Sequence, residues 1–294
     1  MLLRQTRGQK IFSVFNYALL TLTAVLCLLP LIHVIALSFS DNAAVSGGLV
    51  TLWPVRFTWE PYAYVLERSA FWKAFGVTLQ RAALGTAVNV LLVILLAYPL
   101  SMSGEKLRAR TLYVWIFFFT MLFNGGLIPT YILIKEIGIM DTLWALVLPG
   151  AVTVFNLILM LNFFRQVPEE LEDSAMIDGA GHWRTLWQIY VPISTPAIAT
   201  ITLFCVVGHW NAWFDGLIYM RDAAHYPLQS YLQTIVVKFD FQTMSATDAQ
   251  RLAQLNDRSV KAAQMVVAAV PILLVYPFLQ KYFVSGIKLG SVKG

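Results

Sequence analysis

Charge is scarce in this chain. Only 13% of its 294 residues are Asp, Glu, Lys or Arg, against 58% hydrophobic, and the mean hydropathy is +0.67. Soluble domains carry about a quarter charged residues, so the shortage points away from a water-soluble fold and toward an all-α polytopic membrane protein. Cysteine is nearly missing as well. Cys27 and Cys205 both lie in apolar runs without a CxxC spacing, which excludes a disulfide framework or a zinc site and leaves two packing residues. No GxxxxGKS/T or other phosphate-cradling loop occurs, so the chain is not expected to hydrolyse ATP, nor to be an enzyme of another kind. His209, Asp215 and the lone cysteines show no spacing for a nucleophile–base pair or a metal site. The net charge of +5 does not call for nucleic acid, because basic residues flank membrane spans on the cytoplasmic side.

What is abundant is apolar sequence. A span needs about 20 predominantly apolar residues, and six segments qualify: Ile11–Phe39, Ala74–Ser101, Leu112–Ile134, Leu143–Phe164, Pro196–Tyr219 and Ala262–Phe283. The first is far longer than the ~7–15 residues of a signal h-region, so it reads as a span that stays in the membrane. An even number of spans puts both termini on one side. Arg4, Arg7 and Lys10 precede the first span, Lys106, Arg108 and Arg110 crowd the second connection, and Lys281, Lys288 and Lys293 come at the end of the chain. The short connection between spans three and four offers only Lys135. Residues 1–10, the central stretch 168–196 and the tail 284–294 are therefore expected in the cytoplasm, with 11–283 forming one membrane domain. The outer loops fall at 40–73 and 221–261. The second carries five basic residues and has a helix-like part from Ala246 to Ala263.

Six prolines (Pro30, Pro99, Pro129, Pro149, Pro271 and Pro277) fall in the spans, where they kink helices that neighbours or water can re-satisfy. Polar residues in the spans are few. Arg81, Asn89, Asn156, His209, Asn211 and Asp215 stand out, and such groups line a pathway or bond helix to helix. Asn211 and Asp215, four apart, should share one helix face. Trp210, Trp213 and Tyr219 suit an interfacial belt.

The central stretch, PEELEDSAMIDGAGHWRTLWQIYVPISTP, is too polar to enter a membrane. Pro168 suits a first helical turn, and Glu169, Glu170, Glu172 and Asp173 then sit at the positive end of the helix dipole. Asp178-Gly179-Ala180-Gly181 breaks that helix, since glycine permits the positive φ of a sharp turn. Trp183, Leu186, Trp187 and Tyr190 recur at i, i+3, i+4 and i+7, one face of a second helix, with Arg184, Thr185 and Gln188 opposite. Helix, glycine turn, helix makes a knob that fits either a passive interfacial connector or an element that docks into a soluble partner.

This stretch resembles the EAA loop of ATP-binding-cassette importer permeases. Asp178, Gly179 and Ala180 match the DGA core, and Ile189, Pro192 and Pro196 match the ending. Asp173-Ser174-Ala175 stands where the family has Glu-Ala-Ala, one methylene short in the carboxylate. TWEPYAYVL, LLAYPLS, GHWNAWFDGLIYM and YPLQSYLQTIV are similar to sugar permeases of the maltose-permease type. The resemblance implies a type I importer permease with six transmembrane helices and a cytoplasmic coupling helix. It further implies docking on an ATPase dimer through Glu172, Asp173, Ser174, Ala175, Asp178, Gly179 and Ala180. The tail GIKLGSVKG looks like one that reaches the ATPase dimer, through Gly286, Lys288, Gly290 and Lys293. ATP and magnesium belong to that ATPase. A second permease, an extracytoplasmic solute-binding protein and an oligosaccharide substrate complete the implied set in the bacterial inner membrane. The oligosaccharide branch, including the alginate oligosaccharide importer, is most similar. Asn89, Asn156, Asn211 and Asp215 are the pathway candidates by polarity. A rival reading is an ion-coupled secondary transporter, for which Asp215 is the one clear carboxylate.

Overall fold

The computed structural model describes residues 6–237 and 257–291, with side chains except at 235–237, 275, 276 and 278–291. The described residues are helical and fall into two compact units. One is drawn from Met1–Ser69 and Ile235–Ala269, the other from Ala70–Thr234 and Val270–Gly294.

The first unit begins with α1, Arg7–Ser38. Its start is set by a capping box: Thr6 accepts from the Gln9 backbone while the Gln9 side chain accepts from Thr6 N–H, closing two otherwise open donors. From Ile11 to Ile35 the apolar side chains of α1 are almost all exposed, and only Ala36 and Ser38 are buried. That is the surface of a helix meant for lipid or a partner, since water offers it no stability. Below it the chain folds into a corner. The short helices α2, Asn42–Ser46, and α3, Glu60–Leu66, flank a bridge between Ser40 and Phe57. Phe39 stacks on Phe57 and Tyr62 and meets the edge of Trp59. The Ser38 and Tyr62 hydroxyls bond at 2.7 Å. Phe39, Phe57, Trp59 and Tyr62 thus form a packed cluster.

The second unit is built on α4, Ser69–Ser101, which like α1 is an unbroken helix long and apolar enough to cross a membrane. Two of the expected spans are instead bent pairs. Helices α5, Arg110–Leu122, and α6, Leu127–Ile137, meet at 112°. Helix α7, Leu143–Val147, continued by a 3-10 turn to Gly150, meets α8, Val154–Phe164, at 53°. Each break has a chemical cause. At the first, Gly126 takes φ +91°, a conformation only glycine adopts freely, and Asn124 accepts its N–H at 2.8 Å. At the second, Pro149 and Gly150 end the helical ladder. Pro129 and Pro149 therefore lie at helix starts or breaks, not mid-span; Pro30, Pro99, Pro271 and Pro277 do lie inside helices.

After α8 come α9, Glu169–Ile177, and α10, His182–Ile193, which contains a π turn at Leu186–Tyr190. Helix α10 bends by 82° into α11, Thr195–Asn211. The expected fifth span does not run on to Tyr219: it breaks at Ala212–Trp213, and α12, Phe214–Tyr219, comes next. Helix α13 is Leu228–Val237. The last helix, α14, spans Asp257–Ser291, so the backbone stays helical past the expected boundary at Phe283. Residues 246–256 of the helix-like outer segment lie outside the described residues.

The core of this unit joins α4, α8, α10 and α11 through Val93, Ala97, Leu157, Met160, Phe164, Leu186, Tyr190 and Ile201. Cys205 is buried in it, whereas Cys27 is exposed on α1. Full burial of each such aliphatic side chain contributes about 1.5–3 kcal/mol. The expected interfacial belt is corrected: Trp210 and Tyr219 are buried, and only Trp213 is exposed.

Candidate functional site

Two features of the second unit concentrate polar chemistry. The first is the loop from Pro168 to Ile193. Pro168 stands at the N-cap of α9, one position before the helical turn expected for it. Glu169, Glu170 and Glu172 occupy the first turn. Helix α9 ends in a tight turn: Gly179 N–H donates to Met176 O at 3.0 Å and Ala180 N–H to Ala175 O at 2.8 Å. Gly179 has φ +76°, with open space where a Cβ would go. The requirement for glycine here is conformational.

Of the residues expected at a docking surface, Asp173, Ser174, Asp178 and Gly179 are exposed, and Ala175 and Ala180 are half-buried. Glu172 departs from that group. It is buried, with one carboxylate oxygen accepting the Tyr190 hydroxyl at 2.9 Å and the other 3.1 Å from Lys106 Nζ. A carboxylate taken out of water needs such partners, and Glu172 turns inward to them. The hydrogen bond to Glu172 holds Lys106 above the ordinary lysine value. The tip of the loop also carries Ile177, 87% exposed, beside exposed Leu171 and Met176. Sequence reasoning missed Ile177, although an isoleucine next to an Asp-Gly turn is the signal that could have found it.

The expected face of α10 is corrected. Trp183 and Trp187 are exposed while Thr185, Leu186 and Tyr190 are buried. The stripe is split into an exposed pair and a buried pair, and a π turn interrupts the 3.6-residue period from Leu186 to Tyr190. Of the tail residues, Gly286, Lys288 and Gly290 lie on the backbone of α14, and Lys293 lies outside the described residues.

The second feature is a cavity of about 850 Å³ between α4, the α5–α6 corner, α8, α11 and α12. Its polar lining includes Arg81, Asn89, Asn156, His209 and Asp215, with Phe155, Phe204 and Tyr219 supplying aromatic walls. Asn211 is not on it. The helix break at Ala212–Trp213 separates Asn211 from Asp215, so the expected shared face does not exist and Asn211 is exposed.

Arg81 and Asp215 make the strongest contact in the cavity. The Arg81 side chain is 3% exposed and engages both oxygens of Asp215, one from Nη1 at 3.1 Å and one from Nη2. Nη1 also donates to Ala212 O at 3.3 Å, and Gly216 N–H donates to Asp215 at 2.9 Å. Two-pronged pairing of this kind fixes geometry as well as charge. It pins α12 to α4 across the helix break. Asn89 donates to Gly150 O at 3.3 Å, and Asn156 to Cys205 Sγ at 3.5 Å. His209 packs directly on Gly85, where a Cβ would collide with the imidazole.

Outside the spans, Asp141 joins two connections. It accepts from the backbone of Arg221 at 3.1 Å and lies 3.0 Å from His225 Nδ1. The hydrogen bond from His225 holds the Asp141 carboxyl below its usual range, and the same contact raises His225.

Comparison with known proteins fits these features into one group. Protein LplC of Bacillus subtilis (strain 168) is 40% identical over 99% of this chain and 98% of its own. The polygalacturonan/rhamnogalacturonan transport system permease protein YtcP of the same organism is 39% identical over 97% of this chain and 99% of its own. A chain in the crystal structure of a bacterial ABC transporter involved in the import of the acidic polysaccharide alginate superimposes with a TM-score of 0.87. It is 33% identical over 95% of this chain and 99% of its own length. Residues 75–289 match the family described as binding-protein-dependent transport system inner membrane component. With the type I permease fold and near-complete coverage, the chain belongs to that family of importer permeases.

Proposed function

We propose that this chain is the membrane-spanning subunit of an ATP-driven importer of oligosaccharides, and that acidic oligosaccharides are its substrate class. The observation that carries the first part is the exposed α9 tip: Asp173, Ser174, Asp178, Gly179 and Ile177 on a glycine-fixed turn, backed by a buried core. An apolar tip rimmed by carboxylates has the make-up of a docking knob, since contact cores are apolar and rims polar. Ala175 and Ala180 complete it. The ATPase dimer that receives it holds ATP and magnesium. Gly286, Lys288, Gly290 and Lys293 of the tail belong to the same contact. Both termini and the knob face the cytoplasm, residues 11–283 form the permease domain, and a solute-binding protein meets the opposite face.

The substrate class rests on relatives named for alginate and for polygalacturonan and rhamnogalacturonan transport. The cavity supports a sugar path, with amides from Asn89 and Asn156 and aromatic faces from Tyr219, Phe155 and Phe204. A second permease forms the other wall. The rival secondary transporter needs an available carboxylate in the membrane, and Asp215 is occupied by Arg81.

Uptake competition in proteoliposomes holding the assembled transporter tests the substrate class. Uronate oligomers are expected to block uptake and neutral maltodextrins to leave it unchanged. Competition by neutral sugars alone would overturn it.

A further inference from the structure

Helix α9 carries Glu169, Glu170, Glu172 and Asp173 within five positions. Three of them are exposed and Glu172 alone is buried. Burying a carboxylate is costly unless its oxygens are occupied, and here both have partners of different origin. The Tyr190 hydroxyl comes from the π turn of α10, and the Lys106 ammonium from the connection between α4 and α5. Tyr190 is in turn a junction. Its ring stands edge-on to Tyr98 at 5.0 Å, near the end of α4, and to Phe164 at 5.4 Å, the last residue of α8. The Tyr98 hydroxyl lies 3.3 Å from His182 Nδ1 at the start of α10. Single π turns inside helices recur at functional positions, and this one places the tyrosine.

We propose that Glu172 and Tyr190 are positioning residues forming an internal strut, which ties the exposed docking turn to the ends of α4 and α8. The inference rests on the permease reading above and assigns Glu172 a role other than contact with the ATPase. A push on the Asp178–Gly179 turn reaches α9 first. Because Glu172 is bonded to Tyr190 and Lys106, α9 cannot shift or tilt alone without breaking a buried hydrogen bond and an ion pair to the partly exposed Lys106. The less costly response is for the ends of α4 and α8 to move with it. Contiguous packed and hydrogen-bonded groups of this kind carry coupling between distant sites.

The test uses the assembled transporter in proteoliposomes and measures three things: co-purification of the ATPase, ATP hydrolysed, and substrate moved per ATP. Tyr190→Phe removes one hydroxyl and keeps the ring packing. Glu172→Ala removes both bonds, and Glu172→Gln keeps an acceptor for Tyr190. The expected result is retained co-purification and hydrolysis, with substrate per ATP reduced about fivefold or more in Tyr190→Phe and Glu172→Ala, the range of a coupling free energy. Glu172→Gln recovers most of the loss, and Glu172→Ala with Tyr190→Phe is no worse than Glu172→Ala alone, as for residues sharing one interaction. If Glu172→Ala does not fold, Tyr190→Phe decides. Unchanged substrate per ATP would overturn the strut, as would a parallel loss of ATPase binding, which would make Glu172 a docking contact. A wild-type complex that neither co-purifies with an ATPase nor transports with ATP would defeat the permease reading and the strut together.

Discussion

A guanidinium buried inside a membrane helix survives only with a committed partner, and Arg81 of α4 has one in Asp215. Removing one member of such a pair leaves a buried charge uncompensated at a cost of about 3–5 kcal/mol, whereas replacing both with apolar groups is often close to neutral. Asp215→Ala should therefore lower the thermal midpoint of the detergent-solubilised protein strongly. The double replacement Arg81→Met with Asp215→Leu should recover most of it. If both variants melt alike, the pair is not what holds α12 to α4. A second residue-level prediction concerns Asp141 and His225. The raised His225 stabilises fully below the ordinary histidine value of 6.5 and loses its contribution as pH rises through its folded value. The lowered Asp141 contributes above the ordinary aspartate value of 3.8 and is lost as pH falls through its folded value. The contact is tightest between about pH 4 and 6.5. Because His225 is half-exposed, solvent screening keeps the effect below about 1 kcal/mol. His225→Gln should flatten a small pH dependence of thermal stability between about pH 5 and 8, which a titration of melting midpoints would read. At this scale polarity was legible: Arg81, Asn89, Asn156 and Asp215 do line one cavity. Asn211 was misplaced because the i, i+4 rule presumes a continuous helix, and Ala212–Trp213 interrupts it.

Among the elements, glycine and proline decide where helices stop. The Asp178–Gly181 turn could be read from sequence because φ +76° at Gly179 is a local requirement. Gly85 could not be read, since its need arises from a neighbour distant in sequence. His209 of α11 occupies the space a Cβ would take. Gly85→Ala should force the imidazole aside and destabilise by about 1–3 kcal/mol, the usual cost of overpacking, measurable as a lower thermal midpoint. An unchanged midpoint would mean that α4 and α11 separate freely there. The π turn escaped the periodicity reading for a different reason. It is only a local change of hydrogen-bond register between Leu186 and Tyr190, which side-chain spacing does not signal. The broken spans were equally hidden: hydropathy measures apolar length, and a bend of 112° between α5 and α6 leaves that length unchanged.

For the molecule as a whole, composition and the loop between α8 and α11 gave the class, and the family match bears it out. Composition is a global quantity and survives local errors in span boundaries. The apolar flank of α1 and Ile177 at the α9 tip are both exposed, and apolar surface of this extent marks contact with lipid or with another protein. ATP-driven uptake by the reconstituted transporter, comparing wild type with Gly179→Val, bears most directly on how the protein is driven. A β-branched residue is strained at φ +76°, so the docking turn changes shape while the spans keep their packing. The prediction is that wild-type uptake requires ATP and no ion gradient, and that Gly179→Val still inserts in the membrane but loses ATP-dependent uptake. Uptake driven by a sodium or proton gradient without ATP, or full ATP-dependent uptake by Gly179→Val, would contradict it.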